Sequence, residues 1–159
     1  MPDTLSIADL LSPTTVRVGL EGADKPTVLG ALIDLLDGHD EVGDLDRVRQ
    51  DVFAREAKLS TGVGLGLGLP HARTTDVRRT VAAFATTAGP VPFESHDSEP
   101  VRLLFLLVGP EGERGHHVKL LGRISRLMNR PAFRDALLAA VSPSEVLDLF
   151  REAEAELAV

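Results

Sequence analysis

VRLLFLLV, residues 101–108, is the stretch that decides the fold of this 159-residue chain. Every position in it is apolar except Arg102. Side chains of a strand alternate between the two faces of a sheet, so a nearly continuous apolar run needs cover on both faces. The stretch therefore predicts a central strand that is buried on both sides.

Two further strands are predicted outward from this one. RTVAAFATT, residues 79–87, is apolar and ends in β-branched residues, and TVRVGL, residues 15–20, alternates branched and polar residues. Both patterns are typical of strands. The chain therefore holds the strands of a sheet that can flank residues 101–108.

Helical segments separate and follow these strands. Asp24 is a candidate N-cap with Pro26 in the first turn, and Gly38 is predicted to end that helix. Asp44 is the candidate N-cap of a second helix. Further helices are predicted over residues 116–128, from Pro131, and from Pro143, where Ser142 and Glu145 match a capping box.

Strands and helices in this order are typical of an α/β fold in which helices cover both faces of one sheet. No second domain is visible, so residues 1–159 are expected to form a single domain. The acidic end REAEAE, residues 151–156, is expected to be a solvated helix face.

Composition excludes several classes of function. The chain has no Cys, Trp or Tyr and a formal charge of −7, which disfavours thiol chemistry and nucleic-acid binding. No run of 18 or more apolar residues is present, so no membrane insertion is expected. The segment MPDTLSIADL lacks the basic and apolar regions of a signal peptide, and a cytoplasmic location is expected.

A glycine-rich segment, STGVGLGLGLPHAR at residues 60–73, ends in Pro70 and His71. It matches neither the P-loop nor the dinucleotide-binding pattern. Its alternation predicts an extended segment with Val63, Leu65, Leu67 and Leu69 on one face. Pro70 would then hold His71 rigidly at the end of a strand. The simpler alternative is a glycine-rich strand edge with a surface histidine.

Two other residues make a phosphoryl site conceivable. His117 is predicted at the start of a helix and, from its spacing to Leu120 and Ile124, on the inward face. A helix N-terminus favours anions and the neutral form of a nearby histidine. Arg55 supplies the side chain that best matches phosphate geometry. The spacing alone does not show that Arg55, His71 and His117 meet.

These residues form a pattern that resembles a known family. Arg55-Glu56, Ser60-Thr61-Gly62 and Pro70-His71, followed by LLFLLVGPEG and by HVKLL at residues 117–121, are similar to the enzyme IIA domains of the fructose, mannitol and nitrogen-regulatory phosphotransferase systems. The likeness covers about residues 5–152. Two departures are Ser98, where the family commonly has glycine, and the unusually glycine- and leucine-rich stretch at residues 66–70.

The resemblance implies a mixed β-sheet flanked by helices on both sides. It also implies that His71 accepts a phosphoryl group from the histidine-containing phosphocarrier protein and passes it to a cysteine of enzyme IIB. Arg55 would stabilise the phosphate and His117 would be the second active-site histidine. No cofactor, metal ion or nucleic acid is expected to take part.

Two alternatives remain open beside this sugar phosphocarrier. One is a nitrogen-type regulator with the same His71 chemistry, whose phosphorylation state controls binding to target proteins. The other is a metal-dependent hydrolase using His71, His117 and a carboxylate, which the absence of tightly spaced ligand motifs disfavours. Glu56 is expected to be a surface carboxylate or the partner of a nearby base, and His96 a turn residue.

Overall fold

A computed structural model describes residues 6–95 and 97–157. His96 and the first five residues of MPDTLSIADL lie outside the described residues. The described strands are β1 (Val16–Leu20), β2 (Gly62–Gly64), β3 (Leu67–Gly68), β4 (His71–Thr74), β5 (Val81–Val91) and β6 (Val101–Pro110). The described helices are α1 (Ile7–Leu10), α2 (Lys25–Asp34), α3 (Leu45–Lys58), α4 (Arg114–Met128), α5 (Pro131–Ala139) and α6 (Pro143–Leu157). None of these helices is long and apolar enough to cross a membrane.

The strands form one mixed sheet, as expected. Strands β5 and β6 pair antiparallel at its centre, and β1 joins the outer side of β5 in parallel. Strands β3 and β4 both pair parallel with β6, one after the other along its length. The long central strand β6 therefore fixes where the residue that begins β4 will lie.

Strand β6 is buried on both faces, which confirms the interpretation of residues 101–108. Leu103, Phe105 and Leu107 belong to the core on one face, while Leu104 and Leu106 belong to the core on the other. The first core includes residues of α1, α4, α5 and α6, and the second includes residues of α2 and α3. Helices therefore cover both faces, as predicted.

Contacts between phenylalanine rings lie at the centre of the first core. Phe150 of α6 packs edge-on against Phe84, Phe105 and Phe133, with ring centroids 5.2–5.9 Å apart. Edge-to-face pairs of this kind contribute roughly 0.5–1.5 kcal/mol each beyond the burial of their area. This cluster attaches α6 and α5 to the central strands.

Several element boundaries differ from those predicted. Asp24 and Asp44 are the N-caps of α2 and α3, as expected. Helix α2 ends at Asp34, whereas Gly38 has φ +78° and lies in the tight turns beyond it. Strand β5 runs from residue 81 to residue 91 rather than from 79 to 87. Turns with glycine at positive φ commonly extend past the end of a helix. Gly38 therefore lies in the loop that follows α2 and does not show where the helix itself ends.

The glycine segment is a tight hairpin rather than one extended strand, so that prediction was wrong. Strands β2 and β3 pair antiparallel, and Gly64, Leu65 and Gly66 turn the chain with φ of +88°, +61° and +74°. Side chains therefore do not share one face: Leu67 and Leu69 are buried, whereas Val63 and Leu65 are exposed. Glycine tolerates positive φ far better than other residues, which explains its repetition in this turn.

The acidic end of the chain is not wholly solvated. Glu154 of α6 is buried, and its carboxylate accepts hydrogen bonds from the backbone amides of Ile7 and Ala8 at 2.8 and 2.7 Å. Arg123 of α4 donates to the same carboxylate at 2.8 Å. The prediction of a solvated face was therefore wrong at Glu154, because this residue satisfies the free amides that begin α1.

Candidate active site

His71 is the first residue of β4 rather than the last residue of a strand. It lies opposite Leu107 in the parallel β4–β6 ladder, and the amide of Leu107 donates to the carbonyl of Pro70 at 3.0 Å. Pro70 fixes its own φ and cannot donate a hydrogen bond. The prediction of a rigidly held His71 thus agrees with its position, but the strand follows the residue instead of preceding it.

A backbone hydrogen bond orients the His71 ring. Its Nδ1 lies 2.8 Å from the carbonyl oxygen of Leu69. A carbonyl only accepts, so the proton is on Nδ1 and the lone pair is on Nε2. Burial lowers the pKa of His71 below its ordinary value and the charge of Arg55 lowers it further, although the Leu69 hydrogen bond opposes them. His71 is therefore a neutral imidazole with a nucleophilic Nε2 near pH 7.

Arg55 meets this nitrogen from the last turn of α3. Its Nη2 lies 3.5 Å from Nε2 of His71, and its Nη1 donates to the carbonyl of Leu59 at 3.3 Å. Helix α3 packs against β4, which brings the two residues together although sixteen positions separate them. A guanidinium held here can contact an oxygen of a group attached to Nε2.

His117 lies on the inward face of α4, as its spacing predicted. It is only 5% exposed, and its ring centroid is 5.7 Å from that of His71, with the ring planes tilted by 50°. Gly109 makes room for the ring, because a Cβ at that position would lie 3.0 Å from Nδ1 of His117. Burial lowers the pKa of His117 to about 4, together with repulsion from His71 when that ring is protonated and from Arg73.

The helix start differs in detail from the prediction. Helix α4 begins at Arg114, so His117 is in its fourth position and its own amide donates to the carbonyl of Glu113 at 3.0 Å. Only the first amides of a helix lack such partners. His117 can therefore act through its side chain, because its own amide is engaged within the helix.

One cavity joins the three predicted residues. It has a volume of about 470 Å³ and opens to solvent between α3, β4 and the start of α4. Arg55, His71 and His117 all line it. The structure therefore brings together the residues that the sequence could only propose separately.

Three basic residues of the same cavity were missed. They are Lys58 at the end of α3, Arg73 on β4 and Arg114 at the start of α4. The sequence spacing could have indicated two of them. Arg73 is two positions after His71 in a strand, and Arg114 is three positions before His117 in a helix. Both spacings place side chains on the same side of their element.

Glu56, next to Arg55, is buried rather than exposed, so the surface alternative was wrong. Its carboxylate lies 2.9 Å from Nζ of Lys25, which is the nearby base, and accepts from the amide of Thr61 at 2.7 Å and from the Thr61 hydroxyl. Burial raises the pKa of Glu56, but these hydrogen bonds and the Lys25 charge outweigh it, so that the pKa is lowered overall. Glu56 is therefore an ionised anchor between α2, α3 and the start of β2.

Ser98, where the sequence departs from the glycine common in the family, has an unusual backbone conformation. Its φ is +59°, in the left-handed region that glycine occupies without strain. The neighbouring Asp97 accepts a hydrogen bond from the amide of Leu65 at 3.0 Å and so ties this loop to the hairpin tip. Within residues 6–95 and 97–157, no group of three or more His, Asp or Glu side chains is arranged to hold a metal ion.

Comparison with known families identifies the chain as a component of the phosphotransferase system. The family model described as "Phosphoenolpyruvate-dependent sugar phosphotransferase system, EIIA 2" matches residues 9–153. The chain belongs to this family, as the resemblance indicated. Members of the family are phosphotransferase components of fructose, mannitol and nitrogen-regulatory type.

The relatives include proteins named as fructose-specific components and proteins named as nitrogen regulators. The chain is 34% identical over 130 residues to the fructose-specific EIIA component of Haloferax volcanii, covering 82% of this chain and 84% of that protein. It is 31% identical over 136 residues to the nitrogen regulatory protein of Pseudomonas aeruginosa, covering 86% and 88%. It is 30% identical to the fructose-specific EIIABC component of Bacillus subtilis, where the match covers 93% of this chain but only 23% of the relative.

Solved structures agree on the fold. The nitrogen regulatory protein IIA-Ntr from Neisseria meningitidis superposes with a TM-score of 0.84 at 29% identity, covering 91% of this chain and 98% of that one. The mannitol IIA of Escherichia coli, at 21% identity, shows the same fold with a TM-score of 0.75 and coverage of 88% and 98%.

Proposed function

We propose that this chain is a phosphocarrier of the phosphoenolpyruvate-dependent sugar phosphotransferase system. It accepts a phosphoryl group on His71 from the histidine-containing phosphocarrier protein and passes it to a cysteine of enzyme IIB. The proposal takes residues 1–159 as a single IIA-type domain. The observation that carries it is the neutral His71 ring, whose Nε2 faces an open cavity beside Arg55.

The transfer step needs a nucleophile and a leaving group that are both imidazoles. The Nε2 lone pair of His71 attacks phosphorus in line, and the P–N bond of the donor phosphohistidine breaks. If the donor ring is protonated on its other nitrogen, it leaves as a neutral imidazole. His71 then carries the phosphoryl group on Nε2 and retains its proton on Nδ1, so that atoms and charge balance without an added base. Positioning and charge stabilisation dominate such reactions.

Arg55 and His117 have different roles in this step. The Arg55 guanidinium lies 3.5 Å from Nε2 and can stabilise oxygens of the transferring group by charge-assisted hydrogen bonds. His117, held neutral by burial, can donate only one hydrogen bond and adds no charge. The carbonyl of Leu69 stabilises the positive ring that forms when His71 is phosphorylated.

Onward transfer requires a thiol acceptor outside residues 1–159. The chain contains no cysteine, so a thiol acceptor must belong to another polypeptide or to a part of a longer one. A cysteine thiolate attacks the same phosphorus, and His71 leaves as the neutral imidazole with which it began. The Escherichia coli mannitol system provides a structural neighbour whose complex contains enzyme IIA and phosphorylated enzyme IIB.

A second candidate is the nitrogen-type regulator, in which phosphorylation of His71 controls binding to target proteins. The observation in its favour is the IIA-Ntr structure, which this chain covers over 98% of its length with a TM-score of 0.84. A phosphoryl group adds about −1.5 to −2 charges, enough to switch an interface. Both candidates use the same His71 chemistry and differ only in the recipient.

Phosphoryl transfer from a protein donor tests the proposal. The protein is incubated with phosphoenolpyruvate, enzyme I and the histidine phosphocarrier, and intact mass and a peptide map are measured at neutral pH. One acid-labile phosphoryl group on His71 is expected, retained in His39→Ala and absent in His71→Ala. No label in a reaction that labels a known IIA protein would refute it. Capture with each phosphorylation state then separates the candidates: a IIB protein supports transport, and a kinase or channel supports regulation.

A further inference from the structure

Two buried polar atoms beside the active site form no hydrogen bond among residues 6–95 and 97–157. They are Nδ1 of His117 and the hydroxyl oxygen of Thr80, the residue that precedes β5. Thr80 is 8% exposed and His117 only 5%. Buried polar groups almost always have partners, so two that lack them next to a reacting residue indicate a functional role.

Gly109 of β6 brings these two atoms to the same space. A Cβ at that position would lie 3.0 Å from Nδ1 of His117 and 3.4 Å from the hydroxyl oxygen of Thr80. In the antiparallel register that pairs Val81 with Val108, the next position of β6 lies opposite Thr80, so both residues point to one face of the sheet. Because glycine leaves the space between them free, the hydroxyl and the ring can approach each other there.

The two ring nitrogens of His117 have different surroundings. Nδ1 is enclosed by the protein beside Gly109, whereas Nε2 is not enclosed in this way, and the ring borders the cavity that contains His71. The centroids of the two imidazoles are 5.7 Å apart. A neutral imidazole carries one proton, whose position decides whether Nε2 donates to an oxygen in the cavity or repels it with a lone pair.

We propose that Thr80 is a positioning residue for His117. Its hydroxyl donates to Nδ1, which therefore carries no proton, and the single proton of the ring is kept on Nε2. This inference rests on the proposed function, because the acceptor of the Nε2–H group is an oxygen of the phosphoryl group on His71. The three groups form hydrogen bonds without exchanging a proton, so no change of ionisation is needed.

The opposite tautomer of His117 satisfies fewer groups. With the proton on Nδ1, that nitrogen could donate to the oxygen of Thr80, but the hydroxyl proton of Thr80 would then have no acceptor. Nε2 would at the same time direct its lone pair towards the anionic phosphoryl oxygens. A hydroxyl that can both donate and accept is therefore committed by its surroundings to donating.

The hydroxyl of Thr80 and Nδ1 of His117 face the same space but are not bonded in this structure. Catalytic hydrogen bonds are often poorly aligned in a protein without its substrate and shorten when the substrate binds. Thr80 is not among the residues that line the His71 cavity. Its effect on transfer therefore passes through the His117 ring.

Replacing the hydroxyl by a methyl group tests this role. Thr80→Val keeps the shape of the side chain, Thr80→Ser keeps the hydroxyl, and Thr87→Val is the matched control. Thr87 is a buried threonine of β5 whose hydroxyl likewise has no partner among the described residues, and it does not line the cavity.

The rate of His71 phosphorylation is measured against the concentration of the phosphoryl donor protein. Thr80→Val should lower the saturating rate about tenfold, because the Nε2–H group of His117 is no longer fixed towards the phosphoryl oxygens. The donor concentration that gives half of this rate should stay within about twofold, because Thr80 contributes nothing to binding the donor. Thr80→Ser and Thr87→Val should each keep at least about half of the wild-type rate.

The position of the His117 proton is measured by two-dimensional 15N NMR spectra of the unphosphorylated protein at pH 7. The Nε2–H form should be the major tautomer in the wild type, in Thr80→Ser and in Thr87→Val. Thr80→Val should shift His117 towards the Nδ1–H form. A purely structural role of Thr80 would leave this tautomer unchanged.

The outcomes separate this inference from the proposed function. A wild type in which His117 is mainly in the Nδ1–H form overturns the inference, and this measurement does not depend on whether Thr80→Val folds. An unchanged tautomer and rate in folded Thr80→Val overturn it as well and leave the phosphocarrier function intact. Wild-type protein that takes no label from a competent donor overturns the proposed function, while the tautomer of His117 still decides the role of Thr80.

Discussion

Nδ1 of His71 and the carbonyl oxygen of Leu69 lie 2.8 Å apart, and this contact fixes which nitrogen can react. The contact spans only two residues, and the rigid Pro70 lies between them. The carbonyl orients the ring and holds its proton, and it would stabilise the positive charge of the proposed phosphorylated form. The backbone therefore performs the orienting task that a carboxylate performs for the catalytic histidine of a Ser-His-Asp triad.

The phosphoryl group is accordingly expected on Nε2 of His71, not on Nδ1. The unphosphorylated protein should show the Nδ1–H tautomer of His71 in two-dimensional 15N NMR spectra at pH 7. The phosphorylated protein should show phosphorus coupled to Nε2. Phosphate on Nδ1 would contradict this orientation of the ring, and His39, which lies outside the cavity, serves as an internal reference.

Arg55 is expected to accelerate transfer without being the acceptor. Arg55→Ala should lower the rate of His71 phosphorylation roughly 10²-fold, as loss of one charge-stabilising donor commonly does. Arg55→Lys should recover only part of the rate, because an ammonium cannot donate in the planar fork of a guanidinium. Rates are measured by quenched flow, with Arg17→Ala as the matched control. A rate unchanged in Arg55→Ala would remove Arg55 from the mechanism.

His117 should make the stability of the fold depend on pH. Its pKa is lowered to about 4 in the folded protein, mainly by burial, against 6.5 in the unfolded chain. Between these values the unfolded chain binds the proton and the folded protein does not. Stability is therefore complete above pH 6.5 and is lost as the pH falls towards 4, by at most about 3 kcal/mol from this residue. The lowered pKa of His71 acts in the same direction.

Urea unfolding at pH 7 and pH 5 measures this loss. The loss should shrink in His117→Asn, whereas His39→Asn should retain it. An equal loss in both variants would show that other groups cause the pH dependence. The phosphorylation rate should also fall at a pH below the ordinary pKa of histidine, where protonation removes the lone pair of His71.

Much of the fold was predictable from local pattern. The apolar run at residues 101–108 specified a doubly covered strand, and the capping residues Asp24 and Asp44 specified two helix starts. The hairpin at residues 62–68 was not predictable from alternation, because a period of two describes a strand equally well whether or not the chain turns. Its turn depends on positive φ at Leu65, a conformation that a leucine rarely adopts.

The site was predictable only in part for a similar reason. Spacing placed His117 on the inner face of its helix, and the resemblance singled out Arg55 and His71. Their meeting depends on the packing of α3 against β4, which no local pattern encodes. The burial of Glu56 and Glu154 was missed because the cations that stabilise the two buried carboxylates are distant in sequence. Lys25 pairs with Glu56, and Arg123 pairs with Glu154.

Glu56 is expected to support both stability and transfer. Its carboxylate binds Lys25 and both the amide and the hydroxyl of Thr61, directly beside Arg55 in the chain. Glu56→Gln keeps the size of the side chain but leaves Lys25 without its buried anionic partner. We expect a loss of about 3 kcal/mol in the free energy of unfolding, at the lower end of the roughly 3–5 kcal/mol for broken buried pairs, because Lys25 is partly exposed. Glu152→Gln, an exposed position of α6, is the matched control.

A double-mutant cycle separates the ion pair from the packing around it. Lys25→Met removes the cation, so combining it with Glu56→Gln should recover part of the loss and give a coupling of at least about 1 kcal/mol. The transfer rate at saturating donor should fall in Glu56→Gln if the displaced α3 end moves Arg55 away from Nε2. Additive losses in urea unfolding would mean that the 2.9 Å contact between Lys25 and Glu56 contributes no net stability. An unchanged rate at saturating donor would mean that Arg55 holds its position without Glu56, through its own contact with the Leu59 carbonyl.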